Sequence, residues 1–327
     1  TTKCNYIIND VCLGDLTGNG KIDFLVKRLG DDNTVGNDSA YNYIEAYTME
    51  GERLWYIDCG PNTLSNGAVE LNAVSFDWDM DGRCEVVARF GDGAIIHDAN
   101  GVEHVIGSLD VNTRYNGMEY TYTGDEWLVY LDGKTGVPYH IGPTEHPEYM
   151  TYPLLRGSDS DWGTGIVGHR SSKYFFGAPF LDGHHPSIFL ARGAYSQHKM
   201  AAYDVDPLTH QLTQIWEWHN NVSTSPWYGN GFHNYCVADV DWDGRDEIVY
   251  GSMVIDDNGL GLSTTGLGHG DAQHCSDFDP YRHGQEIFTC NEAKPCNNYR
   301  DATTSTIYYR LVGNDDDGRA MCANVSD

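Results

Sequence analysis

The sequence lacks the features that define several classes of protein. It contains no run of about 18 apolar residues, so it predicts no transmembrane span. Helical periodicity is absent almost everywhere, which argues against a helical fold. Basic residues are few, 20 against 48 acidic ones, and the formal charge of −28 argues against nucleic acid or an anionic membrane as a partner.

The nine cysteines include no Cys-x-x-Cys pair, which argues against a zinc site. Cys12, Cys236 and Cys275 alternate with apolar residues, and we expect them to be buried thiols. Cys290 and Cys296 flank a loop that contains a proline, so they could form a disulfide or remain thiols. The cysteines therefore predict no metal site by themselves.

A nine-residue signature rich in aspartate is the strongest feature that the sequence does have. It occurs at residues 15–23, 77–85 and 239–247, here called the first, second and third loops, and a longer variant at 277–286 is the fourth loop. Oxygen-bearing side chains stand at the first, third and fifth positions, a glycine at the sixth and a carboxylate at the ninth. This pattern suits Ca²⁺, but the closing carboxylate comes too early for an EF-hand.

Each of the first three loops leads into a short apolar segment, at residues 24–26, 86–88 and 248–250, which predicts a β-strand. Weaker echoes of the loop occur at residues 130–133, 180–183 and 322–326. With these included, most repeats begin roughly 40 to 60 residues apart, the length of one four-stranded propeller blade. The sequence therefore predicts an all-β fold, a β-propeller of four-stranded blades with calcium-binding loops, and a single propeller region over residues 1–327. Because the chain stops in a further echo of the repeat at Asn324, we expect five or six blades of an incomplete propeller, or closure with a second chain.

Other polar residues are candidates for a functional site. Asp10 and His233 lie shortly before the first and third loops and could cap their ions, although His233 could equally be a packed or surface histidine. His269, Asp271 and His274 fall within six residues among glycines, which favours a metal or substrate site over a structural turn. Arg192 ends an apolar strand and could hold a uronate carboxylate or pair with an aspartate.

These motifs together resemble a known family. Asn9-Asp10, the second and third loops, Arg192-Gly193, His233-Asn234, Gly251-Ser-Met253 and the segment at 266–274 are similar in residues and order to the rhamnogalacturonan lyases of polysaccharide lyase family 11. The resemblance covers nearly the whole chain. It implies an eight-bladed β-propeller with several Ca²⁺ ions, secreted or held at the cell surface. It also implies cleavage of the pectin backbone rhamnogalacturonan I, an acidic plant cell-wall polysaccharide, by β-elimination.

The resemblance also implies roles for individual residues, Asn9 being a substrate contact. The ligands of one ion would be Asp10, Asp15, Thr17, Asn19, Lys21 through its carbonyl, and Asp23. Those of a second would be Asp77, Asp79, Asp81, Arg83 through its carbonyl, and Glu85. A third would take His233, Asp239, Asp241, Asp243, Arg245 through its carbonyl, and Glu247. Further ions would be shared by His269, Asp271, Asp277, Asp279 and Glu286.

The sequence departs from the family pattern at three places. Thr17 and Asn19 replace acids, which should weaken the first site, and Leu29 stands where the family has an acidic substrate contact. The later blades that supply further substrate contacts are missing from this chain. Two hypotheses therefore stand: a calcium-dependent rhamnogalacturonan lyase, and a non-catalytic extracellular propeller for glycan binding, adhesion or assembly.

The chemistry of β-elimination explains why calcium suits an acidic substrate. The uronate carboxylate must be neutralised before a base can take the C5 proton and the O4 bond can break, and Ca²⁺ can neutralise it as a Lewis acid. Bound ions also invert the local field of an acidic protein, which allows it to attract a polyanion. His269, His274 and Arg192 are the candidates for the catalytic group, and Arg192, His233 and His269 for substrate contacts.

Overall fold

The computed structural model describes residues 6–30, 41–63, 73–113, 123–165 and 168–313. Within these residues the fold is all-β, as predicted: the described elements are twenty-two strands and one 3-10 helix, Asp159–Trp162. The strands form five antiparallel sheets, one of six strands and four of four.

The strands of the first two sheets do not follow one another in chain order, because β7 and β8 of the first sheet come between β6 and β9 of the second. The six-stranded sheet has the order β1 (Tyr6–Gly14), β2 (Asp23–Gly30), β3 (Tyr43–Tyr47), β4 (Arg53–Asp58), β7 (Ala94–His97) and β8 (Glu103–Ile106). The second sheet has the order β10 (Met150–Thr151), β9 (Glu126–Leu131), β6 (Glu85–Gly91) and β5 (Ala73–Phe76). Because the β7–β8 hairpin joins β4 and not β6, the first sheet exceeds the four strands expected of a blade.

The remaining three sheets follow chain order. The third contains β11 (Tyr174–Gly177), β12 (Ile188–Arg192), β13 (His198–Val205) and β14 (Leu212–Asn220). The fourth contains β15 (Cys236–Ala238), β16 (Glu247–Tyr250), β17 (Met253–Ile255) and β18 (Gly261–Thr264). The fifth contains β19 (Gly270–Ser276), β20 (Glu286–Asn291), β21 (Cys296–Asp301) and β22 (Ile307–Val312).

The aspartate-rich loops open strands, as the sequence predicts. The closing carboxylate of each loop is the first residue of a strand: Asp23 of β2, Glu85 of β6, Glu247 of β16 and Glu286 of β20. Every residue of β6 and β16 is buried, which explains their continuous apolar runs. Each loop is thereby anchored to a strand in the protein interior.

The chain divides into two compact units. The first comprises Thr1–Asp159, Gly165–Phe176 and Asp204–Thr213, and its core includes Leu25, Trp55 and Phe90. The second comprises Ser160–Thr164, Gly177–Tyr203 and Gln214–Asp327, with Val240 and Ile287 among its core residues. No helix in the described part of the chain is long and apolar enough to cross a membrane.

The structure tests the disulfide considered from the sequence, but not the expected repeat near the end of the sequence. The repeat echo at Asn324 lies outside the described residues. The disulfide considered between Cys290 and Cys296 is absent, and both are thiols. They lie on adjacent strands but are not register partners, because Cys290 is opposite Asn297 and Cys296 is opposite Asn291.

Candidate metal centres

The first three loops share one backbone conformation. Their fourth residues have left-handed φ angles of +70°, +59° and +63°, at Gly18, Met80 and Trp242. Their sixth residues do the same with φ angles of +78°, +90° and +92°, at Gly20, Gly82 and Gly244. Left-handed backbone is uncommon for Met and Trp. Its recurrence at the same position shows that the loop pattern fixes the backbone even where the side chain disfavours it.

The first aspartate of each loop binds the backbone of its own loop. In the second loop, Asp77 Oδ1 accepts from Asp81 N at 3.0 Å and Oδ2 accepts from Gly82 N at 3.0 Å. Asp239 accepts from Asp243 N at 3.1 Å and from Gly244 N at 3.0 Å in the third loop. These hydrogen bonds curl the loop so that its oxygen-bearing side chains converge.

The closing carboxylates present one oxygen to the loop interior. Glu85 Oε2 accepts from Trp78 N at 3.0 Å, and Glu247 Oε2 accepts from Val240 N at 2.7 Å. The other oxygens, Glu85 Oε1, Glu247 Oε1 and Asp23 Oδ1, are buried without a hydrogen-bond partner. A buried, unpaired carboxylate oxygen is costly, so its recurrence in three equivalent loops indicates that a cation belongs there.

Carboxylate crowding in the loops is visible in the pKa values. Burial and the charges of Asp79 and Asp77 raise the pKa of Glu85 to about 8. Burial and the charges of Asp241, Asp243 and Asp256 raise the pKa of Glu247 to about 8. Such shifts mark carboxyl groups whose ionised form needs a nearby positive charge.

Two loops gather at least three carboxylates around one point. In the second loop Asp77, Asp79, Asp81 and Glu85 place oxygens within 4.8 Å of one another. In the third, Asp239, Asp241 and Glu247 do so, and Glu247 also converges with Asp256 and Asp257 from the β17–β18 turn. Asp256 and Asp257 were not among the residues predicted from the sequence, although Asp-Asp-Asn-Gly at 256–259 is a recognisable turn sequence.

The basic residue at the seventh position of each of the first three loops forms an ion pair outside its loop, and an Arg83 amino nitrogen also lies 3.4 Å from Asp81 within the second loop. Lys21 Nζ lies 2.7 Å from Glu50, an Arg83 amino nitrogen 3.1 Å from Asp132, and Arg245 2.8 Å from Asp257. Because a positively charged side chain does not ligate a cation, the backbone carbonyls of Lys21, Arg83 and Arg245 are the groups of these residues suited to one. Carbonyl ligation stays a prediction.

The first loop is poorer in carboxylates, as its sequence indicates. Thr17 and Asn19 replace acids, and Thr17 donates both its N–H and its hydroxyl to Asp23 Oδ2, at 2.9 Å each. Asp10 forms an ion pair with Lys27 at 2.7 Å, and its side chain is 57% exposed. Lysine thereby takes the carboxylate that was expected to cap the first ion.

The fourth loop neutralises its acids with an arginine. Asp279 Oδ2 accepts from Arg282 Nε at 2.7 Å, and the Arg282 guanidinium lies 3.8 Å from the centre of the Tyr308 ring. Glu286 Oε2 accepts from the backbone N–H groups of residues 278 and 279 at 3.0 Å, while Asp277 is exposed. Arg282 is thus a cation of the fourth loop itself, and it pairs with one of the three carboxylates of this loop.

A second kind of centre lies in the second compact unit. His233, His269 and Asp271 bring ligand atoms within 4.8 Å of one another. His233 Nε2 is 3.6 Å from Asp271 Oδ1 and 2.8 Å from the Tyr195 hydroxyl. His233 thus converges with His269 and Asp271, whereas the sequence grouped it with the third loop and placed His269 and Asp271 with the fourth.

The imidazole of His269 is oriented by the backbone. Its Nδ1 lies 2.6 Å from the carbonyl oxygen of Gly231, and because a carbonyl only accepts, Nδ1 carries the proton. In the neutral ring, Nε2 then offers its lone pair on the side of Glu292, whose Oε2 is 3.6 Å away. Donation of one ring nitrogen to a carbonyl is typical of metal-binding histidines, so the residues fit a cation.

A buried histidine, His198, forms a hydrogen bond with the backbone of Gly231. Gly231 N donates to His198 Nε2 at 3.1 Å, and His198 is completely buried. Burial lowers the pKa of His198 to about 4, so the ring is neutral and able to accept. His198 and Tyr195 could not be predicted from the sequence, because neither stands in a motif and both contact residues that are distant in the chain.

Three other predicted site residues have different outcomes. His274 is five residues beyond His269 on β19, a separation of about 16 Å in an extended strand. Arg192 is completely buried, with its guanidinium carbon 5.5 Å from the centre of the Trp162 ring, so it has no surface for a sugar to contact. Asn9 lies in β1, and its side chain falls outside the described part of the structure.

Comparison with known proteins gives consistent matches over the whole chain. The family model for the C-terminal domain of rhamnogalacturonan lyase family 11 matches residues 1–327. The chain is 36% identical to rhamnogalacturonan exolyase YesX of Bacillus subtilis (strain 168), over 98% of this chain and 51% of the relative. It is 34% identical to rhamnogalacturonan endolyase YesW of the same organism, over 98% of this chain and 50% of the relative.

Comparison with solved structures also gives rhamnogalacturonan lyases. The rhamnogalacturonan lyase of Bacillus licheniformis superposes with a TM-score of 0.85 at 33% identity, covering 97% of this chain and 53% of the other. The crystal structure of YesX gives a TM-score of 0.85 at 35% identity, covering 97% of this chain and 51% of the other. The chain therefore spans about half the length of the relatives it matches.

Proposed function

The chain belongs to rhamnogalacturonan lyase family 11, and from this premise we propose that it acts in a calcium-dependent lyase that cleaves rhamnogalacturonan I by β-elimination. The observation that carries the proposal is the convergence of His233, His269 and Asp271, in a chain that also contains oxygen-rich loops. The proposal concerns the function in which this chain takes part, since its relatives are about twice as long.

The loops are proposed to bind structural Ca²⁺. Support comes from the buried, unpartnered oxygens of Asp23, Glu85 and Glu247 and from the raised pKa values of the two glutamates. The second and third loops have the larger carboxylate sets, so we expect them to bind more tightly than the first. The fourth loop is expected to bind weakly, because Arg282 already pairs with Asp279.

The centre of His233, His269 and Asp271 is proposed to hold a cation next to the substrate. When bound, that cation would neutralise the uronate carboxylate and make the C5 proton more acidic. His269 is held ready by Gly231, and Asp271 supplies the negative charge that a cation needs. Since imidazole also suits Zn²⁺ and other borderline metals, the choice of metal belongs in the test.

The base that takes the C5 proton is proposed to lie outside this centre. A histidine whose Nε2 lone pair binds a cation cannot accept a proton with it, which removes His233 and His269. Arg192 is completely buried, and His274 stands about 16 Å along the strand from His269. The lyase therefore requires a further group near the uronate.

The finer architecture and setting are also proposals. We propose that the five sheets are blades of a β-propeller, because four of them have four antiparallel strands and several open with the same loop. We propose a secreted or cell-surface location, since loops of this kind fill at the calcium concentrations found outside cells. The proposed partner is an acidic cell-wall polysaccharide.

Absorbance near 235 nm, which reports the unsaturated product, tests the function. The protein is incubated with rhamnogalacturonan I in Ca²⁺, in EDTA, and after return of Ca²⁺, Mn²⁺ or Zn²⁺. We expect product with Ca²⁺, none with EDTA, and recovery with Ca²⁺. His269→Gln and Asp271→Asn should lower the rate by about 100-fold, since loss of even an outer-shell partner of a metal ligand typically costs 10- to 100-fold.

A surface histidine provides the matched control. His185 pairs with Asp182 and has a side chain that is 70% exposed, so His185→Gln should leave the rate unchanged. A folded protein that binds the polysaccharide but gives no product under any of these conditions would overturn the lyase proposal and favour a non-catalytic glycan-binding module.

A further inference from the structure

A histidine far along the chain contacts the second loop. His210 Nε2 lies 3.0 Å from Asp79 Oδ2, although the two residues are 131 positions apart and both belong to the first compact unit. Because a carboxylate only accepts, His210 Nε2 carries the proton and donates it. The side chain of Asp79 is 4% exposed and that of His210 is 22% exposed, so this hydrogen bond is largely shielded from water.

The orientation of the His210 ring is restricted by a stacking contact and by the conformation of its turn. The ring stacks on Tyr139 with ring centres 3.8 Å apart and planes 9° apart. Its backbone has a φ of +56°, a left-handed conformation, in the turn between β13 and β14. Asp206 holds that turn by accepting from the N–H groups of Leu208 and Thr209 at 3.0 and 2.8 Å. The turn thus presents the imidazole at one angle and not over a range.

Asp79 is the third residue of the second loop, and its two oxygens have different surroundings. Oδ1 accepts from Asp81 N at 3.0 Å within the loop, and Oδ2 receives His210. The equivalent residue of the third loop, Asp241, accepts from Asp243 N at 3.2 Å. Within the described residues, Asp241 receives no hydrogen bond from outside its own loop, so the histidine is a difference between the two loops.

We propose that His210 is a positioning residue for the calcium ligand Asp79, holding its outer oxygen so that the other faces the ion. The inference rests on the calcium binding proposed for the second loop. A donor to the outer oxygen of a metal-binding carboxylate fixes its rotamer before the ion arrives, and loss of such a partner typically lowers metal affinity 10- to 100-fold. The second loop should accordingly bind Ca²⁺ more tightly than the third.

Two substitutions test separately the N–H donor of His210 and the stacking of its ring on Tyr139. His210→Phe keeps a flat ring for Tyr139 and removes the N–H, whereas His210→Gln keeps an N–H donor and removes the ring. Both place a residue other than glycine at the left-handed φ, so they match in backbone cost. We expect a 10- to 100-fold loss of affinity at one site for His210→Phe and a change of no more than about threefold for His210→Gln.

The measurement is calorimetric titration of Ca²⁺ into chelator-treated protein. All variants carry Glu247→Gln, which removes the closing carboxylate of the third loop and with it the calcium binding expected there. Thermal melting with and without Ca²⁺ gives a second readout. A purely structural role would lower both melting temperatures equally, whereas a positioning role lowers mainly the gain produced by Ca²⁺. Should His210→Phe fail to fold, His210→Asn, which suits a left-handed backbone but is too short to reach Asp79, replaces it.

The variant Glu85→Gln distinguishes failure of this inference from failure of the proposed calcium binding. If Glu85→Gln leaves the number of calcium sites unchanged, the second loop does not bind calcium and the proposed function loses that part. If Glu85→Gln removes one site while His210→Phe leaves its affinity intact, the positioning role is overturned. Adding His210→Phe to Glu85→Gln should produce no further loss of calcium affinity.

Discussion

At the scale of single residues, the closing carboxylate is the part of the loop to which the proposed Ca²⁺ would matter most. Glu85 and Glu247 are completely buried, and each has one oxygen on a backbone N–H and one without a partner. A buried carboxyl group in this position is stable either protonated or beside a cation. Calcium binding should therefore be coupled to proton release.

This coupling predicts an unusual pH dependence. The pKa of Glu85 and of Glu247 in the folded, calcium-free protein is about 8, above the ordinary value of 4.5. Their protonated forms therefore stabilise the fold below about pH 4.5, and this stabilisation is lost as the pH rises towards 8. In EDTA, each carboxyl should cost up to about 1.4 kcal/mol of unfolding free energy per pH unit within that range.

Denaturant unfolding between pH 6.5 and 8.5 measures this effect. The opposite contributions of His198 and His169, each with a folded pKa of about 4 against an ordinary value of 6.5, level off above pH 6.5 and are nearly complete by about pH 7.5. Calcium-loaded protein should show little dependence, because its carboxylates are ionised throughout. A calorimetric titration at pH 7 should also show proton release through a dependence of the binding enthalpy on the buffer. Equal pH dependence with and without calcium would contradict the coupling.

At the scale of strands, a buried arginine links β21 to its neighbours. Arg300 is completely buried and donates to the carbonyl oxygen of Gly251 at 2.6 Å and to Thr289 Oγ1 and Asn298 Oδ1 at 3.2 Å each. Burial lowers its pKa to about 10, so it remains charged at neutral pH. Among the described residues no carboxylate pairs with it, so these neutral acceptors solvate its charge.

Replacement of the forked guanidinium group of Arg300 should lower the free energy of unfolding even when the positive charge is kept. Arg300→Lys cannot reach three acceptors in the same plane, which leaves buried oxygens unsatisfied. We expect a loss of about 2–4 kcal/mol in the free energy of unfolding, measured by denaturant titration. Arg310 on the exposed strand β22 supplies the control, and Arg310→Lys should change stability by less than about 0.5 kcal/mol. Similar midpoints for the two variants would refute the role assigned to the fork.

Sequence patterns predicted the strands better than their pairing. The apolar segments at 24–26, 86–88 and 248–250 all lie in strands, within β2, β6 and β16. The addition of β7 and β8 to β4 was not predictable, because the hairpin could have joined either β4 or the nearer β6. Alternation of apolar residues reports burial of a strand face and carries no information on which distant strand will be its partner.

At the scale of the whole molecule, charge links calcium to stability. The formal charge is −28, and three loop ions would reduce its magnitude to about 22. Repulsion among the loop carboxylates opposes folding in the absence of the ions. Calcium is therefore expected to contribute to folding in addition to any role in chemistry.

Chelation should lower the melting temperature strongly. A site that binds only the folded protein adds about 2.7 kcal/mol when calcium exceeds its Kd by 100-fold. Raising KCl from about 0.05 to 0.5 M should stabilise the chelated protein more than the loaded one, since salt screens the remaining repulsion. Calorimetric scans in EDTA and in Ca²⁺ at both salt concentrations measure this. An equal response of the two forms to salt would contradict the electrostatic explanation.

The sequence by itself determined the all-β class, the loops and the family, because these depend on residues close together in the chain. Loop conformation is set by hydrogen bonds within nine residues, such as Asp77 to Gly82, and by positive φ angles that recur at fixed positions. The smaller set of carboxylates in the first loop could also be predicted, since Thr17 and Asn19 stand where acids are expected.

Tertiary structure alone decided which distant groups meet. It brought His233 to His269 and Asp271, separated His274 from them along an extended strand, buried Arg192, and placed His210 on Asp79. Each outcome depends on strand register and on turns that join remote segments, where a shift of one residue reverses the facing of a side chain. Local sequence specifies the parts of each centre, and long-range packing decides which parts share one.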